Sequence, residues 1–167
     1  MSKELKVSVG KKGKKFKISA IENGTVIDRI PSGMSLKVFE ILELKELDQV
    51  MIGMNFSSEK IGKKDVLKVE NYFPSQEQID KLAILCHNTK SPMTVSTIKK
   101  GVKQSKLYVE LPSKINNVIK CFNPKCITNL EGHTVLNKTF YIIKTDPLQV
   151  KCHYCERKMK EKEIELL

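Results

Sequence analysis

Cys121-Phe-Asn-Pro-Lys-Cys126 and Cys152-His-Tyr-Cys155 are the two stretches that decide the fold of the C-terminal part of the chain. They contain four of its five cysteines, in two tight clusters separated by 25 residues. Each cluster can present two thiolates to one ion, and four sulfurs around one ion form the closed tetrahedral geometry of structural zinc. A metal held in this way stabilises a segment too small to fold around a core of its own. The spacing therefore predicts a metal-held module of roughly fifty residues.

Other interpretations of these cysteines rank below a structural zinc site. Iron remains open, because spacing alone does not choose the metal of a four-thiolate site. A redox dithiol at Cys152 and Cys155 would leave the first cluster unexplained. Disulfides need an oxidising compartment, and the N-terminus has no apolar signal core, so we expect a cytoplasmic chain. His133 and His153 are disfavoured as ligands because four cysteines already complete the site.

The charge of the chain is concentrated at its N-terminus. The formal net charge is +11, and residues 1–17 alone carry seven Lys against one Glu. This composition predicts a solvated, flexible basic extension. No apolar run approaches the ~18 residues of a membrane span, so no membrane partner is expected. The chain has no Trp and few aromatic residues, which does not favour a stacking platform for single-stranded nucleic acid.

Hydrophobic periodicity predicts a first domain of strands and helices. Ser35 is a candidate N-cap before an apolar stripe that reaches Leu44, and Ser75 forms a capping-box pair with Gln78 at the start of a second helix. The predicted strands cover residues 16–20, 25–31, 50–56, 65–73, 94–98 and 103–111. The order strand, helix, strand, strand, helix, strand is that of a ferredoxin-like βαββαβ domain, with both helices on one face of an antiparallel sheet. We therefore predict an α+β chain with a basic extension at 1–17, this domain at 18–112, and a small β-rich zinc-binding domain at 113–167.

No stretch of the sequence predicts catalysis. The three His residues form no recognisable constellation with Ser, Cys or carboxylate groups. Gly10-Lys-Lys-Gly13 lacks the strand–loop–helix context of a phosphate-binding loop, and a closed thiolate site is a poor Lewis acid. Cys86 belongs to the apolar stripe of the second helix, which favours a packed thiol over a reactive one. We therefore predict that the chain is not an enzyme.

A series of further stretches runs through the chain from about residue 18 to its end. They are Gly24-Thr-Val-Ile-Asp-Arg-Ile-Pro31, Ile52-Gly-Met-Asn55, Gly62-Lys-Lys-Asp-Val-Leu-Lys-Val-Glu-Asn71, Leu111-Pro112 and Ile115-Asn-Asn-Val118. Together with the two cysteine clusters they resemble the regulatory chain of aspartate carbamoyltransferase. Residues 1–17 lie outside this resemblance.

The resemblance implies two domains with separate tasks. The domain at 18–112 would bind nucleoside triphosphates and pair with a second regulatory chain through its sheet. The domain at 113–167 would hold one structural Zn²⁺ and dock on the catalytic chain, which does the chemistry; the implied metal ligands are Cys121, Cys126, Cys152 and Cys155. Such chains assemble as six catalytic and six regulatory subunits in pyrimidine biosynthesis, where ATP activates and CTP, sometimes with UTP, inhibits.

The resemblance also implies the residues of an effector site. Lys68 and Lys106 match positions that contact the nucleotide, and a triphosphate needs such cations held on strands. Asp28 matches an acidic position that can accept hydrogen bonds from sugar hydroxyls or base amino groups. Ala20 and Ile21 match a strand whose main-chain groups read the base. Ile98 matches an apolar wall of the site.

Three positions of this implied site depart from the family pattern. Arg29 stands in place of a His near the phosphates and keeps a cation there. Ser96 replaces an amide side chain, and Gly101 replaces an aromatic residue that helps to frame the base. Phosphate binding is therefore better supported than the choice of base.

Two other functions remain open. A zinc-ribbon nucleic-acid-binding protein would use the basic extension and the metal module, and its affinity would fall steeply with salt. A purely structural assembly chain with a lapsed effector site would bind no triphosphate. A regulatory chain instead predicts little affinity for nucleic acid and co-purification with a catalytic partner.

Overall fold

The computed structural model describes residues 19–44, 49–88, 91–130 and 137–167. The basic extension at 1–17 and most of the strand predicted at 16–20 lie outside these residues, and so does His133. The described end of that predicted strand, Ser19 and Ala20, is irregular backbone.

The first domain is a five-stranded antiparallel sheet with two helices. Its elements are β1 (Gly24–Pro31), α1 (Ser35–Ile41), β2 (Val50–Ser58), β3 (Gly62–Glu70), α2 (Gln76–Leu85), β4 (Thr94–Lys99) and β5 (Val102–Tyr108). The strands lie in the order β2-β3-β1-β4-β5, with every neighbouring pair antiparallel. β1 to β4 with the two helices form the predicted ferredoxin-like arrangement, and the predicted α+β class is confirmed. β5 is an additional strand at the edge, which the predicted order did not count.

The two faces of this sheet differ because side chains alternate along each strand. Ile27, Leu67 and Val95 point into a core that also contains Val38 of α1 and Leu82 of α2. The strand neighbours of these core residues point to the opposite side. We call that side the open face; it carries Val26, Asp28, Lys68, Ser96 and Lys106.

The helix starts show one correct and one wrong prediction. The capping box of Ser75 and Gln78 is confirmed, with the Gln78 N–H donating to Ser75 Oγ over 3.2 Å. Ser35 is not the N-cap of α1, because it is already the first helical residue and Met34 precedes it without a side-chain cap. The buried carboxylate of Asp65 on β3 takes over this role, since it accepts from the N–H groups of Gly33 at 2.9 Å and Ser35 at 3.4 Å.

The second domain is small and rich in strands, as predicted. Its strands are β6 (Lys114–Asn116), β7 (Ile119–Lys120), β8 (Thr139–Thr145), β9 (Leu148–Cys152), β10 (Lys158–Lys160) and β11 (Glu165–Leu166). Four form a sheet in the order β10-β9-β8-β6, and β11 pairs with β7. Phe140, Val150 and Met159 are fully buried in a second core, which also contains Cys121, Cys126 and Cys152.

Two residues of the first domain, Ile84 and Leu111, pack in or against this second core. Ile84 on α2 packs with the buried apolar residues of the metal domain and is only 6% exposed. His87, just after α2, places its Nε2 atom 3.7 Å from Glu161 Oε1 of the second domain. The last turn of α2 therefore contacts both domains. Neither α1 nor α2, the helices of the described residues, is long and apolar enough to cross a membrane.

Candidate metal centre and effector site

The fold brings the two cysteine clusters together. The sulfur atoms of Cys121, Cys126, Cys152 and Cys155 all lie within 4.8 Å of one another, and all four thiols are free. The Sγ–Sγ distances are 3.6 Å for Cys121 and Cys155 and 3.8 Å for Cys126 and Cys152. A tetrahedron with metal–sulfur bonds of about 2.3 Å has edges of about 3.8 Å. The four cysteines therefore fit a single four-coordinate ion.

The first cluster is shaped by a short turn. The Cys126 N–H donates to the Asn123 carbonyl over 3.0 Å, which folds the two cysteines toward each other. Asn129 Nδ2 donates to the carbonyl oxygens of Cys121 at 2.7 Å and Asn123 at 2.9 Å. Thr128 Oγ1 donates to Cys126 Sγ over 3.2 Å and so helps to fix the position of that sulfur.

The second cluster is tied to the first by Arg157. The Cys152 N–H donates to the Arg157 carbonyl over 3.0 Å. The guanidinium of Arg157 lies 4.9 Å from the ring centroid of Phe122 in the first cluster, within the range of a cation–π contact. His153 lies between two cysteines of the group but is exposed, and its Nδ1 atom is 3.2 Å from Tyr141 Oη.

The electrostatics of the four thiols also fit a cation. Burial raises the pKa of Cys121 and of Cys152. Burial acts in the same direction on Cys155, but hydrogen bonds from the Arg157 backbone and the Asn123 side chain outweigh it and lower the pKa of Cys155 to about 7. Four thiolates this close repel one another unless a cation lies between them. Thiolate sulfurs are ligands of Zn²⁺ and of iron, and such a closed set holds the metal in a structural role.

Strand register places most of the predicted nucleotide residues on the open face. One row crosses four neighbouring strands and consists of Lys68, Val26, Ser96 and Lys106. Asp28 lies in the next row on one side, opposite Thr94, and Ile98 lies in the next row on the other side, opposite Gly24. Residues from four separate strands thus share one surface.

Two cations of the open face, Lys64 and Lys68, already have oxygen partners in the protein. Lys64 Nζ forms an ion pair with Asp28 Oδ1 at 2.6 Å. Lys68 Nζ donates to the Ser19 carbonyl over 2.6 Å, and burial lowers the pKa of Lys68. Arg29 has a positive φ of 61° at the irregular end of β1. A partly buried ammonium such as Lys68 has lost some hydration, so an anionic ligand can compensate it.

The segment before β1 passes close to these cations. Ala20 is exposed and Ile21 is half-buried, and the carbonyl of the preceding Ser19 is the acceptor of Lys68. The Gly101 N–H donates to the Glu22 carbonyl over 2.8 Å, which ties the segment to the β4–β5 turn. A Cβ added at Gly101 would have no atom within 4 Å, so the space beside this residue is open.

Sequence reasoning missed several residues of both sites. Lys64 was not predicted for the open face. It precedes Lys68 by four residues on β3, and because side chains alternate between the two faces of a strand, this spacing indicates that both lie on the same face. Thr94 was also missed, because its position opposite Asp28 depends on strand register. Thr128 and Asn129 lie two and three residues after Cys126, and Ser, Thr and Asn are common partners of turn backbones.

Two family models match the chain over most of its length. Residues 16–110 match the allosteric domain of the aspartate carbamoyltransferase regulatory chain, and residues 113–165 match its metal binding domain. The chain belongs to the aspartate carbamoyltransferase regulatory chain family. The metal-binding match includes all four cysteines of the candidate centre.

Individual relatives agree with this family assignment. The aspartate carbamoyltransferase regulatory chain of Pyrococcus abyssi is 45% identical over 152 residues, which cover 89% of this chain and 95% of the relative. That of Pyrococcus horikoshii is 46% identical over the same shares of both chains. That of Methanococcus vannielii is 40% identical over 142 residues, or 85% and 91%.

Family membership settles the class of the protein. It is a regulatory chain with an allosteric and a metal-binding domain, and it is not itself catalytic. A regulatory chain of aspartate carbamoyltransferase implies a separate catalytic chain as its partner. The alternative of a zinc-ribbon nucleic-acid-binding protein gains no support from these comparisons.

Proposed function

We propose that this chain binds nucleoside triphosphates on its open face and transmits their effect to the catalytic chains through its metal domain. The effector site consists of Asp28, Lys68, Lys106, Ala20, Ile21 and Ile98. CTP, alone or with UTP, inhibits the enzyme and ATP activates it, so that a pyrimidine end product controls its own synthesis in the cytoplasm.

The observation that carries this proposal is the row containing Lys68 and Lys106. Their strands are three positions apart, or about 14 Å at the usual strand spacing. Two long ammonium side chains can converge from these positions on a polyanion lying over Ser96, which is small. Asp28, one row away, supplies a carboxylate that can accept hydrogen bonds from ribose hydroxyls or base amino groups.

The effector site has a direct test in the assembled enzyme. Isothermal titration with ATP, CTP and UTP should show binding to the wild-type complex. Lys68→Gln and Lys106→Gln should each weaken it by roughly 10-fold or more, because each removes a charge-assisted contact. Lys120→Gln on β7 makes the same charge change in the other domain and should bind as the wild type does. A wild-type complex that binds no triphosphate contradicts the proposal and leaves the purely structural chain.

The metal domain is proposed to hold one Zn²⁺ per chain and to dock on the catalytic chain. Elemental analysis of the purified complex should return zinc in a ratio of about one per regulatory chain, since four cysteines complete one tetrahedral site. Removing the metal should release the chain from its partner, because the docking domain loses its fold. Complexes that stay intact after the metal has been removed contradict the docking proposal.

The assembly is proposed to contain six catalytic and six regulatory chains, with regulatory chains paired through the sheets of their first domains. An antiparallel sheet with free edges can extend by pairing with a second copy. The mass of the purified complex tests the stoichiometry.

A further inference from the structure

We propose that Tyr108 positions the ammonium group of Lys106 for the phosphates of the effector, which makes Tyr108 a determinant of effector affinity. The proposal rests on the effector site described above and adds to it a residue that the sequence did not indicate. It identifies the triphosphate, rather than the base, as the part of the ligand that depends on this side chain.

Tyr108 lies on the open face at the end of β5. It is opposite Thr94, which is in turn opposite Asp28, so these three residues form a row adjacent to the row of Lys68 and Lys106. Thr94 is 2% exposed and Ser96 is 8% exposed. The small, buried side chains of β4 therefore lie between Asp28 on β1 and the pair Lys106 and Tyr108 on β5. Lys68 lies one strand beyond β1.

The ring of Tyr108 is placed to hold Lys106. The Lys106 Nζ atom lies 5.1 Å from the ring centroid, and both residues are on the same face because they are two positions apart on one strand. Tyr108 is 49% exposed and is outside the first core, so burial does not account for an aromatic residue here. Within the described residues, no acidic group is paired with Lys106, which leaves the ammonium free to face a ligand.

This contact matters because Lys106 sits on an exposed edge strand. A free Lys side chain samples many rotamers, and an anion must restrict it when it binds. A cation–π contact restricts the ammonium in advance and keeps its charge unpaired. The other ammonium groups of the open face are held by oxygen acceptors, Asp28 for Lys64 and Ser19 for Lys68, whereas Lys106 is held by a ring.

The test is a double-mutant cycle in the complete complex, measured by isothermal titration with ATP and with inorganic tripolyphosphate. Tyr108→Ala should weaken both ligands by the same factor of about 3–5. Tyr108→Phe keeps the ring and should bind within about twofold of the wild type. In a Lys106→Gln background, Tyr108→Ala should have no further effect, because the cation that the ring positions is gone. Leu107→Ala changes the neighbouring residue of the same edge strand on its other face and should leave both affinities unchanged.

The outcomes separate this proposal from the proposed function. Wild-type complex that binds neither ligand overturns the effector site itself. Wild-type binding with an unchanged Tyr108→Ala affinity overturns only the role of Tyr108. An effect of Tyr108→Ala that persists in the Lys106→Gln background also overturns it, because the ring would then act on the ligand or on the fold without Lys106. Thermal melts of each variant show whether the fold is retained.

Discussion

Ile84→Ala tests whether the two domains share a packed core. Ile84 belongs to α2 of the first domain but is 6% exposed in the core of the metal domain. The substitution removes three buried carbon groups, each contributing about 0.8 kcal/mol, or about 2.4 kcal/mol together. The cavity left behind adds to this cost, and measured Ile→Ala changes in protein cores fall at about 2–5 kcal/mol.

Calorimetry of the zinc-loaded chain measures the effect. For a chain of this size, about 1 kcal/mol corresponds to a shift of about 2–4 °C in Tm, so a cost of about 2–5 kcal/mol should lower the Tm of Ile84→Ala by about 4–20 °C. Leu36→Ala is the matched control, because Leu36 lies on α1 of the same domain and is 58% exposed. Leu36→Ala should change the free energy of unfolding by no more than about 0.5 kcal/mol. If Ile84→Ala shifted the Tm no more than this control, α2 would not be part of the second core and the domains would fold independently.

Three further predictions concern the backbone and the thiols. Gly24→Ala should lower the free energy of unfolding by about 1–3 kcal/mol in urea denaturation, because the new Cβ would lie 2.1 Å from the Val69 carbonyl oxygen at a φ of +128°; a fully stable variant would contradict the described start of β1. In the metal-loaded chain a thiol reagent should modify no cysteine, and removing the metal with a chelator should expose four cysteines to it. Cys86, whose pKa burial raises to about 12, should react only when the chain unfolds. Five reactive thiols in the folded, metal-loaded chain would contradict this prediction. The affinity for zinc should rise from pH 6 to pH 8, because protons leave the thiols when the metal binds. The pKa of Cys155 is about 7, and burial raises the pKa values of Cys121 and Cys152. Competition with a chelator measures the affinity, and a constant affinity across this pH range would contradict thiolate ligation.

Local patterns predicted the parts of the fold that depend on neighbours in sequence. The capping box of Ser75 and Gln78 involves residues three apart, and it forms as the sequence indicates. The cysteine clusters likewise set the metal centre through spacings of three and five residues, so four sulfurs needed only one long connection to meet.

Features that depend on distant pairing were not predictable in this way. The carboxylate that caps α1 comes from Asp65, 30 residues after Ser35, so the local Ser signal was misleading. Residues 103–111 were predicted as a strand, but the predicted order left that strand out, and the positions of Tyr108 and Lys64 relative to Asp28 were missed. These positions follow from the register of four strands, and a slip of one residue would have put every side chain on the opposite face.

The positions of the two candidate sites limit how an effector can act. The open face lies on one side of the first sheet, whereas the metal domain contacts α2, which packs on the other side. One route for a change caused by a nucleotide therefore passes through the sheet to α2, and Leu111, which packs against both cores, offers a second. Within three consecutive residues of α2, Leu82 and Ala83 pack in the first core and Ile84 packs in the second.

Continuous packing alone does not produce regulation. An effector shifts an equilibrium only if it binds two arrangements with different affinity, so α2 must have two positions relative to the metal domain for the proposed coupling to work. Ile84→Ala should then separate binding from transmission: triphosphate affinity at the open face stays near the wild-type value, while the effect of the triphosphate on catalytic activity is lost. A variant that keeps full regulation while showing the expected fall in Tm would exclude α2 as the connecting element.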